Sequence, residues 1–211
     1  MIFFSINKYI IFILTILILF FFFSNGHFLA DHKIYHLNTS NPNKLKEFKV
    51  LFKEEGIDLQ VSNHDLKEIV ASPIRVVIQK ASQLDKNVIV EDTSLEIEGE
   101  EVGINVRWLL DNLTKFEGKK AVWTVLLAYQ KEDGLVYVYQ GQVKGVIVKP
   151  KGKGFGFDPF FKPDGSDFTL AELKPNSVNA RAIAVKKFTK DEAIASEYPI
   201  LSWEGDWQHD D

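Results

Sequence analysis

The chain has 211 residues, of which 45% are hydrophobic, and this is enough to form one domain with a substantial core. Its net charge of −4 disfavours binding to long nucleic acids, which require a basic surface. Because the chain has no cysteine, it cannot form disulfides, thiolate nucleophiles or zinc–thiolate sites.

The first thirty residues differ from the rest of the chain. Lys8 precedes an almost uninterrupted run of Ile, Leu and Phe over residues 9–23, and Ser24, Asn25 and Gly26 follow. This order of basic, apolar and small polar residues is typical of a signal peptide or signal anchor. A wrongly assigned start codon is the alternative explanation. We therefore predict a folded domain over residues 31–211, and membrane contact, if the segment is genuine, through residues 9–23.

A strand, a tight turn and a helix open the predicted domain. Residues 33–39 have the pattern of a strand, and Asn41 followed by Pro42 is a typical helix start. The helix is predicted over residues 42–55. Free backbone N–H groups at its start, with Lys44 in the first turn, suit an anion. An ordinary capped helix is the alternative interpretation.

Strands and helices alternate along the next part of the chain. Strands are predicted over residues 57–61, 88–90, 121–129, 135–140 and 143–148. Helices are predicted over residues 72–86, 102–113 and 177–188, and a loop over residues 151–165. Glu132-Asp133-Gly134 has the composition of a hairpin turn. Alternating elements followed by a hairpin predict a mixed α/β sheet.

Two adjacent carboxylates, Glu91 and Asp92, follow the short β-branched strand of residues 88–90. The carboxyl end of a strand in an open α/β sheet is where a ligand or metal usually binds. Carboxylate oxygens suit Mg²⁺, which binds through one or two carboxylates and the phosphates of a substrate. The alternative is that the two acids start a solvated loop. Glu68 and Lys80 are further candidates, although isolated surface charges are usually only solvated.

Glycines and phenylalanines are interleaved between Gly152 and Phe161. Glycines allow the backbone to approach a ligand, and an exposed phenylalanine offers a stacking face to a base. Alternatively, the phenylalanines fold back onto the core, although the interleaved glycines make close packing less favourable. With the lysines and carboxylates, this loop predicts a ligand that has phosphates, a divalent metal and a flat ring. A nucleoside triphosphate meets all three requirements.

These motifs resemble those of the inosine triphosphate pyrophosphatase family, in the same order and over residues 33–189. Residues 39–45 are similar to the family's Thr-Gly-Asn-x-x-Lys-Leu, and residues 90–93 match Val-Glu-Asp-Thr. Residues 155–165 are similar to Phe-Gly-[Trp/Tyr]-Asp-Pro-x-Phe-x-Pro-Asp-Gly, and residues 171–173 to Ala-Glu-Met. The resemblance implies a two-lobed domain with a twisted mixed sheet and a central cleft, usually a cytoplasmic homodimer. It also implies Mg²⁺-dependent hydrolysis of non-standard purine nucleoside triphosphates to a monophosphate and pyrophosphate.

The resemblance also assigns roles by position. Three residues would activate the attacking water and stabilise charge: Lys44, Glu91 and Asp92. Two carboxylates would bind Mg²⁺: Glu68 and Asp92. Contacts to the phosphates and the base fall to residues spread along the chain: Thr39, Asn41, Lys44, Lys80, Arg107, Phe155, Phe157, Asp158, Lys174 and Arg181. Within this set, Phe155 would stack on the base, and Phe157 and Asp158 would shape its pocket.

The chain also departs from the family pattern. The family's Ser-His-Arg reads Asn179-Ala180-Arg181, so the histidine associated with the 6-oxo group of the purine is absent. Loss of such a donor weakens discrimination between 6-oxo and 6-amino purines. The family's preceding lysine falls near Pro175, where Lys174 is the replacement. Two alternatives follow: a catalytically silent nucleotide-binding paralogue or membrane-tethered module, and a pyrophosphatase of the septum-formation type.

Overall fold

A mixed β-sheet forms the centre of the structure, a computed structural model that describes residues 34–100 and 110–208. The described part of the sheet has seven strands: β1 (Tyr35–Asn38), β2 (Leu59–Ser62), β3 (Val88–Ile97), β4 (Lys120–Gln130), β5 (Val136–Ile147), β6 (Phe161–Pro163) and β7 (Ala195–Glu197). The first six follow the order β2-β1-β3-β4-β5-β6, and β7 also pairs with β5. β1 is parallel to β2 and β3, whereas all later pairs are antiparallel.

Helices cover both faces of the sheet. The α-helices in the described ranges are α1 (Pro42–Glu54), α2 (Pro73–Ser82) and α3 (Ala180–Thr189). Successive residues of β4 alternate between two apolar clusters, because neighbouring side chains of a strand point to opposite faces. Val125 and Leu127 belong to the cluster that contains α1 and α3, whereas Leu126 and Ala128 belong to that of α2. The predicted mixed α/β sheet with flanking helices is confirmed.

The helix starts follow the capping residues in the sequence. Asn41 and Asn179 cap α1 and α3 through their side chains, and Pro42 and Pro73 occupy the first turns of α1 and α2. The predicted helix over residues 177–188 starts late, because residues 176–178 form a separate 3₁₀ turn before the Asn179 cap. The predicted helix over residues 72–86 ends early at Ser82.

Three strand predictions and one loop prediction require correction. β3 does not end at Val90 but continues to Ile97, because residues 90–97 pair antiparallel with β4. The segments predicted over residues 135–140 and 143–148 form one strand, β5. Gly141 lets that strand continue beneath α3, since a Cβ there would lie 1.9 Å from the carbonyl oxygen of Ala180. The predicted loop over residues 151–165 contains the short strand β6.

Some predictions lie outside the described residues. These are the apolar segment of residues 9–23, most of the helix predicted over residues 102–113, and Arg107. Residues 110–116 form a 3₁₀ helix. None of the helices within the described ranges is long and apolar enough to cross a membrane.

Candidate active site

Glu91 and Asp92 lie inside β3, which corrects the prediction that they follow the end of the strand and argues against the alternative that they start a solvated loop. The parallel pairing of β3 with β1 ends at Val90, opposite Asn38. The two acids therefore occupy the first positions of β3 beyond the carboxyl end of β1, which is the edge where α/β sheets bind ligands. Both side chains are buried, with 7% of Glu91 and 9% of Asp92 exposed.

The two acids point to opposite faces of the sheet, because they are neighbours on one strand. Glu91 accepts from residues on the α1 side: its Oε2 lies 2.7 Å from Nζ of Lys44. Asp92 faces α2, and its Oδ1 lies 3.5 Å from Nζ of Lys80. Each acid therefore has its own ammonium partner, supplied by a different helix.

Glu91 is held in its ionised form. Burial alone would raise its pKa, but the charges of Lys44 and Arg181 more than compensate, and the pKa falls below its ordinary value. The hydroxyl of Thr93 also donates to Oε1 of Glu91. With both oxygens already accepting, Glu91 is suited to hold the ammonium of Lys44 in place and is poorly suited to accept a proton.

The pKa of Asp92 is shifted in the opposite direction to that of Glu91. Burial raises its pKa, and the charges of Glu91 and Glu68 raise it further, while Lys80 opposes the shift only in part. A carboxylate with a raised pKa accepts a proton more readily than an ordinary aspartate. Two adjacent carboxylates with opposite shifts are suited to different roles.

Lys80 connects the carboxylates on the α2 side. Its Nζ lies 2.9 Å from Oε1 of Glu68 and 3.5 Å from Oδ1 of Asp92, and it donates to the backbone carbonyl of Glu91 at 3.4 Å. Burial alone would lower the pKa of Lys80, but Asp92 and Glu68 raise it above its ordinary value. Lys80 therefore stays charged, and Glu68 and Asp92, 24 positions apart in sequence, reach the same ammonium.

The turn before α1 is a capped helix start. Oδ1 of Asn41 accepts from the backbone N–H groups of Asn43 and Lys44, at 3.0 and 3.2 Å. Oγ1 of Thr39 accepts from the backbone N–H of Asn41 at 3.2 Å. The expectation that the N–H groups of this turn are free for an anion is therefore wrong for residues 41, 43 and 44. The charged group of the turn is the ammonium of Lys44, which pairs with Glu91.

A groove of about 410 Å³ lies between α1 and the glycine-rich loop. Its lining includes three of the residues that the sequence assigned to the substrate: Phe155, Asp158 and Lys174. Nζ of Lys174 lies 2.7 Å from Oδ2 of Asp158 and 5.3 Å from the ring centroid of Phe155. Burial raises the pKa of Asp158 despite the nearby ammonium of Lys174. The groove therefore presents an aromatic face beside a donor and an acceptor.

Glu47 connects the groups of this groove, although no motif in the sequence marks it as a site residue. Its carboxylate accepts from Lys174 at 3.3 Å, from Asn179 at 2.8 Å and from Arg181 at 3.1 Å. The guanidinium carbon of Arg181 lies 5.0 Å from the ring centroid of Phe155. The available signal was the position of Glu47 one helical turn after Lys44, which places both on one side of α1.

Phe157 does not line the groove, which corrects its assignment to the base pocket. It is 6% exposed and packs edge-on against Trp123, with ring centroids 5.6 Å apart. The glycines around it permit close packing and do not prevent it. A Cβ at Gly154 would lie 2.8 Å from Cβ of Asp158 and 2.9 Å from Cβ of Ala171. Phe157 therefore belongs to the core, while Phe155 lines the groove.

Ala180 is fully buried at the start of α3. The side chain of the preceding residue, Asn179, accepts from the backbone N–H groups of Arg181 and Ala182 at 2.9 and 3.4 Å. The methyl group of Ala180 supplies no hydrogen-bond donor. The polar groups that this segment offers near the groove are therefore the Asn179 amide and the Arg181 guanidinium.

A family model described as the Ham1 family matches residues 35–191. An inosine triphosphate pyrophosphatase of Scheffersomyces stipitis is 35% identical over 179 residues, covering 71% of this chain and 92% of the relative. A dITP/XTP pyrophosphatase of Hyperthermus butylicus is 32% identical over 170 residues, covering 71% of this chain and 87% of the relative.

Two solved structures share the fold. The Ham1 protein of Staphylococcus aureus has a TM-score of 0.57 and 24% identity, covering 76% of this chain and 98% of its own. The HAM1 protein of Coxiella burnetii has a TM-score of 0.57 and 21% identity, covering 75% of this chain and 98% of its own.

Proposed function

The chain belongs to the Ham1 family, and from this premise we propose that it hydrolyses non-standard purine nucleoside triphosphates to a monophosphate and pyrophosphate. Relatives named inosine triphosphate and dITP/XTP pyrophosphatases support this substrate class. The observation that carries the proposal is the convergence of Glu68, Asp92 and Lys80 at the edge of β3, with Lys44 and Glu91 on the other face.

The reaction that suits this arrangement is attack of water on the α-phosphorus. A bond forms between the water oxygen and the α-phosphorus, the bond from the α-phosphorus to the bridging oxygen breaks, and pyrophosphate leaves. Asp92, whose carboxylate shares the ammonium of Lys80 with Glu68, accepts the proton of the water. The ammonium groups of Lys44 and Lys80 stabilise the negative charge on the phosphate oxygens. Glu91 holds Lys44 in position.

We propose Mg²⁺ as the cofactor, held by Glu68 and Asp92. These carboxylates approach one point from two segments, since both reach Nζ of Lys80. Residues 34–100 and 110–208 contain no group of three acidic or histidine side chains placed to hold a metal alone. Mg²⁺ suits this donor set because it binds through one or two carboxylates together with substrate phosphates and water. When bound, it neutralises charge on the phosphate oxygens.

The base is proposed to stack on Phe155 in the groove beside α1. Lys174 and Asp158 offer a donor and an acceptor there, and the guanidinium of Arg181 lies near the same ring. Because Ala180 supplies no donor, we propose weak discrimination between 6-oxo and 6-amino purines. The ratio of kcat/KM for inosine and adenosine triphosphates tests this: a ratio within about tenfold supports it, and a ratio above roughly a thousandfold contradicts it.

A pyrophosphate-release assay with the full-length chain tests the proposed function. The panel contains the four common and the deaminated triphosphates, with and without Mg²⁺. We expect pyrophosphate, and no orthophosphate, from inosine or xanthosine triphosphate when Mg²⁺ is present. Tight nucleotide binding by calorimetry without turnover would instead favour the silent paralogue, and a preference for pyrimidine nucleotides would favour the septum-formation type.

We further propose that the protein acts as a homodimer in the cytoplasm, on the basis of its family alone. Light scattering of the purified full-length chain measures the first property. A mass near twice 24.1 kDa supports the dimer, and a mass near 24.1 kDa contradicts it. Fluorescence microscopy of a C-terminally tagged chain measures the second.

A further inference from the structure

The residues that follow β7 form an extended segment along α2, which we call the strap and define as residues 198–208. The strap begins where β7 pairs with β5. Its Ile200 donates a backbone hydrogen bond to Oγ of Ser82, at the end of α2, at 2.9 Å. Further on, the indole of Trp203 lies 5.4 Å from the guanidinium carbon of Arg75, in the first turn of α2. The strap therefore runs along α2 from its end to its start.

The end of the strap pairs with the loop that carries Glu68. The backbone N–H of Gln208 donates to the carbonyl of Glu68 at 2.8 Å, and its side-chain amide donates to the carbonyl of Ile69 at 2.9 Å. In return, the backbone N–H of Val70 donates to the carbonyl of Asp206 at 2.9 Å. Ile69 is fully buried at this junction. Three hydrogen bonds thus hold the backbone of residues 68–70, which carries the Glu68 side chain.

We infer that the strap is a positioning element of the active site, and that Gln208 is the residue through which it places Glu68. This inference rests on the proposed function. Residues 63–68 follow β2 without helix or strand structure, so their position depends on contacts made by neighbouring elements. The carboxylate of Glu68 must reach the point where it meets Lys80, across from Asp92. The strap lies beyond residues 35–191, the part that the family model matches.

The conformation of the strap depends on Gly205. A Cβ at this position would lie 2.9 Å from three atoms of the Trp203 indole, so the indole packs directly on the glycine. The same indole donates from Nε1 to the carbonyl of Asp206 at 3.0 Å. A Gly205→Ala substitution would require the indole to shift, which disturbs its hydrogen bond to the carbonyl of Asp206, the acceptor for Val70. It would loosen the Glu68 loop without changing any residue of that loop.

Two substitutions and a matched control test the inference in the full-length chain. Gln208→Ala removes the side-chain hydrogen bond to Ile69, and Gly205→Ala displaces the strap from Trp203 onward. Leu201→Ala is the control, because Leu201 lies in the same strap and is 86% exposed. The first readout is hydrogen–deuterium exchange of peptides covering residues 66–72, measured without nucleotide or Mg²⁺. The backbone N–H of Val70 is the amide in this peptide that donates to the strap, and we expect it to exchange about fivefold faster in both test variants and at an unchanged rate in the control.

The second readout is the pyrophosphatase activity. We expect the two test variants to show a lower kcat and a higher Mg²⁺ concentration for half-maximal rate, by about fivefold to tenfold. The KM for the nucleotide should change by less than about twofold, because the base groove beside α1 is not altered. A general loss of stability would lower the amount of active enzyme and hence the apparent kcat. It would not raise the Mg²⁺ concentration for half-maximal rate.

The outcomes separate this inference from the proposed function. If the wild-type chain releases no pyrophosphate from any nucleotide, the proposed function is wrong, and the exchange data still decide whether the strap holds the loop. If the wild type is active and both test variants match Leu201→Ala in exchange and in Mg²⁺ midpoint, the inference is overturned. Faster exchange with unchanged kcat and Mg²⁺ midpoint also overturns it, because Glu68 would then not require the strap.

Discussion

Nζ of Lys44, in the first turn of α1, lies 2.7 Å from Oε2 of Glu91, in the middle of β3. This ion pair connects the capped turn to the acid pair and leaves the neighbouring Asp92 to face α2 and Lys80. The strand geometry thus gives two adjacent acids different partners and opposite pKa shifts. We expect the chemistry of the site to depend on this division.

Lys44→Met tests the ion pair directly. Removing the ammonium leaves the buried carboxylate of Glu91 without its main partner, and its pKa should rise. Breaking a fully buried ion pair costs about 3–5 kcal/mol. Because the Lys44 side chain is 24% exposed, we expect a smaller loss, about 1–3 kcal/mol of unfolding free energy. We also expect kcat/KM to fall by at least about a hundredfold.

Urea unfolding and steady-state kinetics measure both effects. Lys49→Met, on the exposed side of the same helix, is the control and should behave as the wild type. If the Lys44 and Lys49 variants are equally active, Lys44 has no role in catalysis.

Asp92→Asn should abolish turnover while the protein remains folded. The substitution keeps the size of the side chain but removes the proton acceptor and a proposed metal ligand, and we expect at least a roughly thousandfold loss in kcat. Because burial disfavours the charged form of Asp92, the variant should be no less stable than the wild type. Glu96→Gln, exposed on the same strand, is the matched control in pyrophosphate release and thermal unfolding. Retention of full activity by Asp92→Asn would reject the assignment of this residue.

Glu47→Gln tests the connection between α1 and α3. The guanidinium of Arg181 is buried, with 2% of the residue exposed, and loses its anionic partner in this variant. Breaking a buried pair costs about 3–5 kcal/mol when one partner is removed, and the remaining amide oxygen of Gln offsets part of this. We expect urea unfolding at lower concentration and a KM for the nucleotide raised by about tenfold. Lys53→Met, in the exposed last turn of the same helix, should change neither quantity.

The close contact between β5 and α3 predicts a purely structural effect. Gly141→Ala places a methyl group against the Ala180 carbonyl, at 1.9 Å if nothing moves, so the start of α3 must shift. Overpacking of this kind costs about 1–3 kcal/mol. Thermal unfolding measures the loss, with Lys144→Ala on the same strand as the control. A Gly141→Ala variant as stable as the control would show that α3 adapts without cost.

Asp191 should make stability depend on pH. Lys131 and Tyr139 donate hydrogen bonds to its carboxylate, and these lower its pKa. A group with a lowered pKa in the folded state stabilises above its unfolded pKa, and this contribution is lost as the pH falls through the folded value. The unfolded value is about 3.9, so the stability advantage over Asp191→Asn should shrink below about pH 4. Asparagine tolerates the positive φ of 56° at this position, which makes it a suitable comparison. Thermal unfolding of both proteins between about pH 3 and 7 measures the difference, and a constant difference would contradict the assignment.

The short motifs predicted the part of the site that is local in sequence. Asn41 and Lys44 could be placed because a capped helix start fixes their relative positions, and the adjacency of Glu91 and Asp92 is covalent. The length of β3 could not be predicted, because residues 91–97 become strand through pairing with β4, whose register depends on the whole sheet.

The rest of the groove depends on contacts between distant segments. Glu47 meets Lys174 across 127 positions and Arg181 across 134, so no local pattern reveals the contact. The burial of Phe157 follows from Trp123, which lies more than thirty positions earlier, on β4. The path of the strap also depends on contacts with distant segments. Its residues have no helical or strand periodicity, and α2 and the Glu68 loop hold them in place.

The most direct test of the account follows the oxygen of the attacking water. The full-length chain, inosine triphosphate and Mg²⁺ are incubated in ¹⁸O-labelled water, and the products are analysed by mass spectrometry. Attack on the α-phosphorus predicts one ¹⁸O in the monophosphate and unlabelled pyrophosphate. Label in the pyrophosphate, or release of orthophosphate as the first product, would contradict the proposed chemistry of Asp92 and its neighbouring lysines.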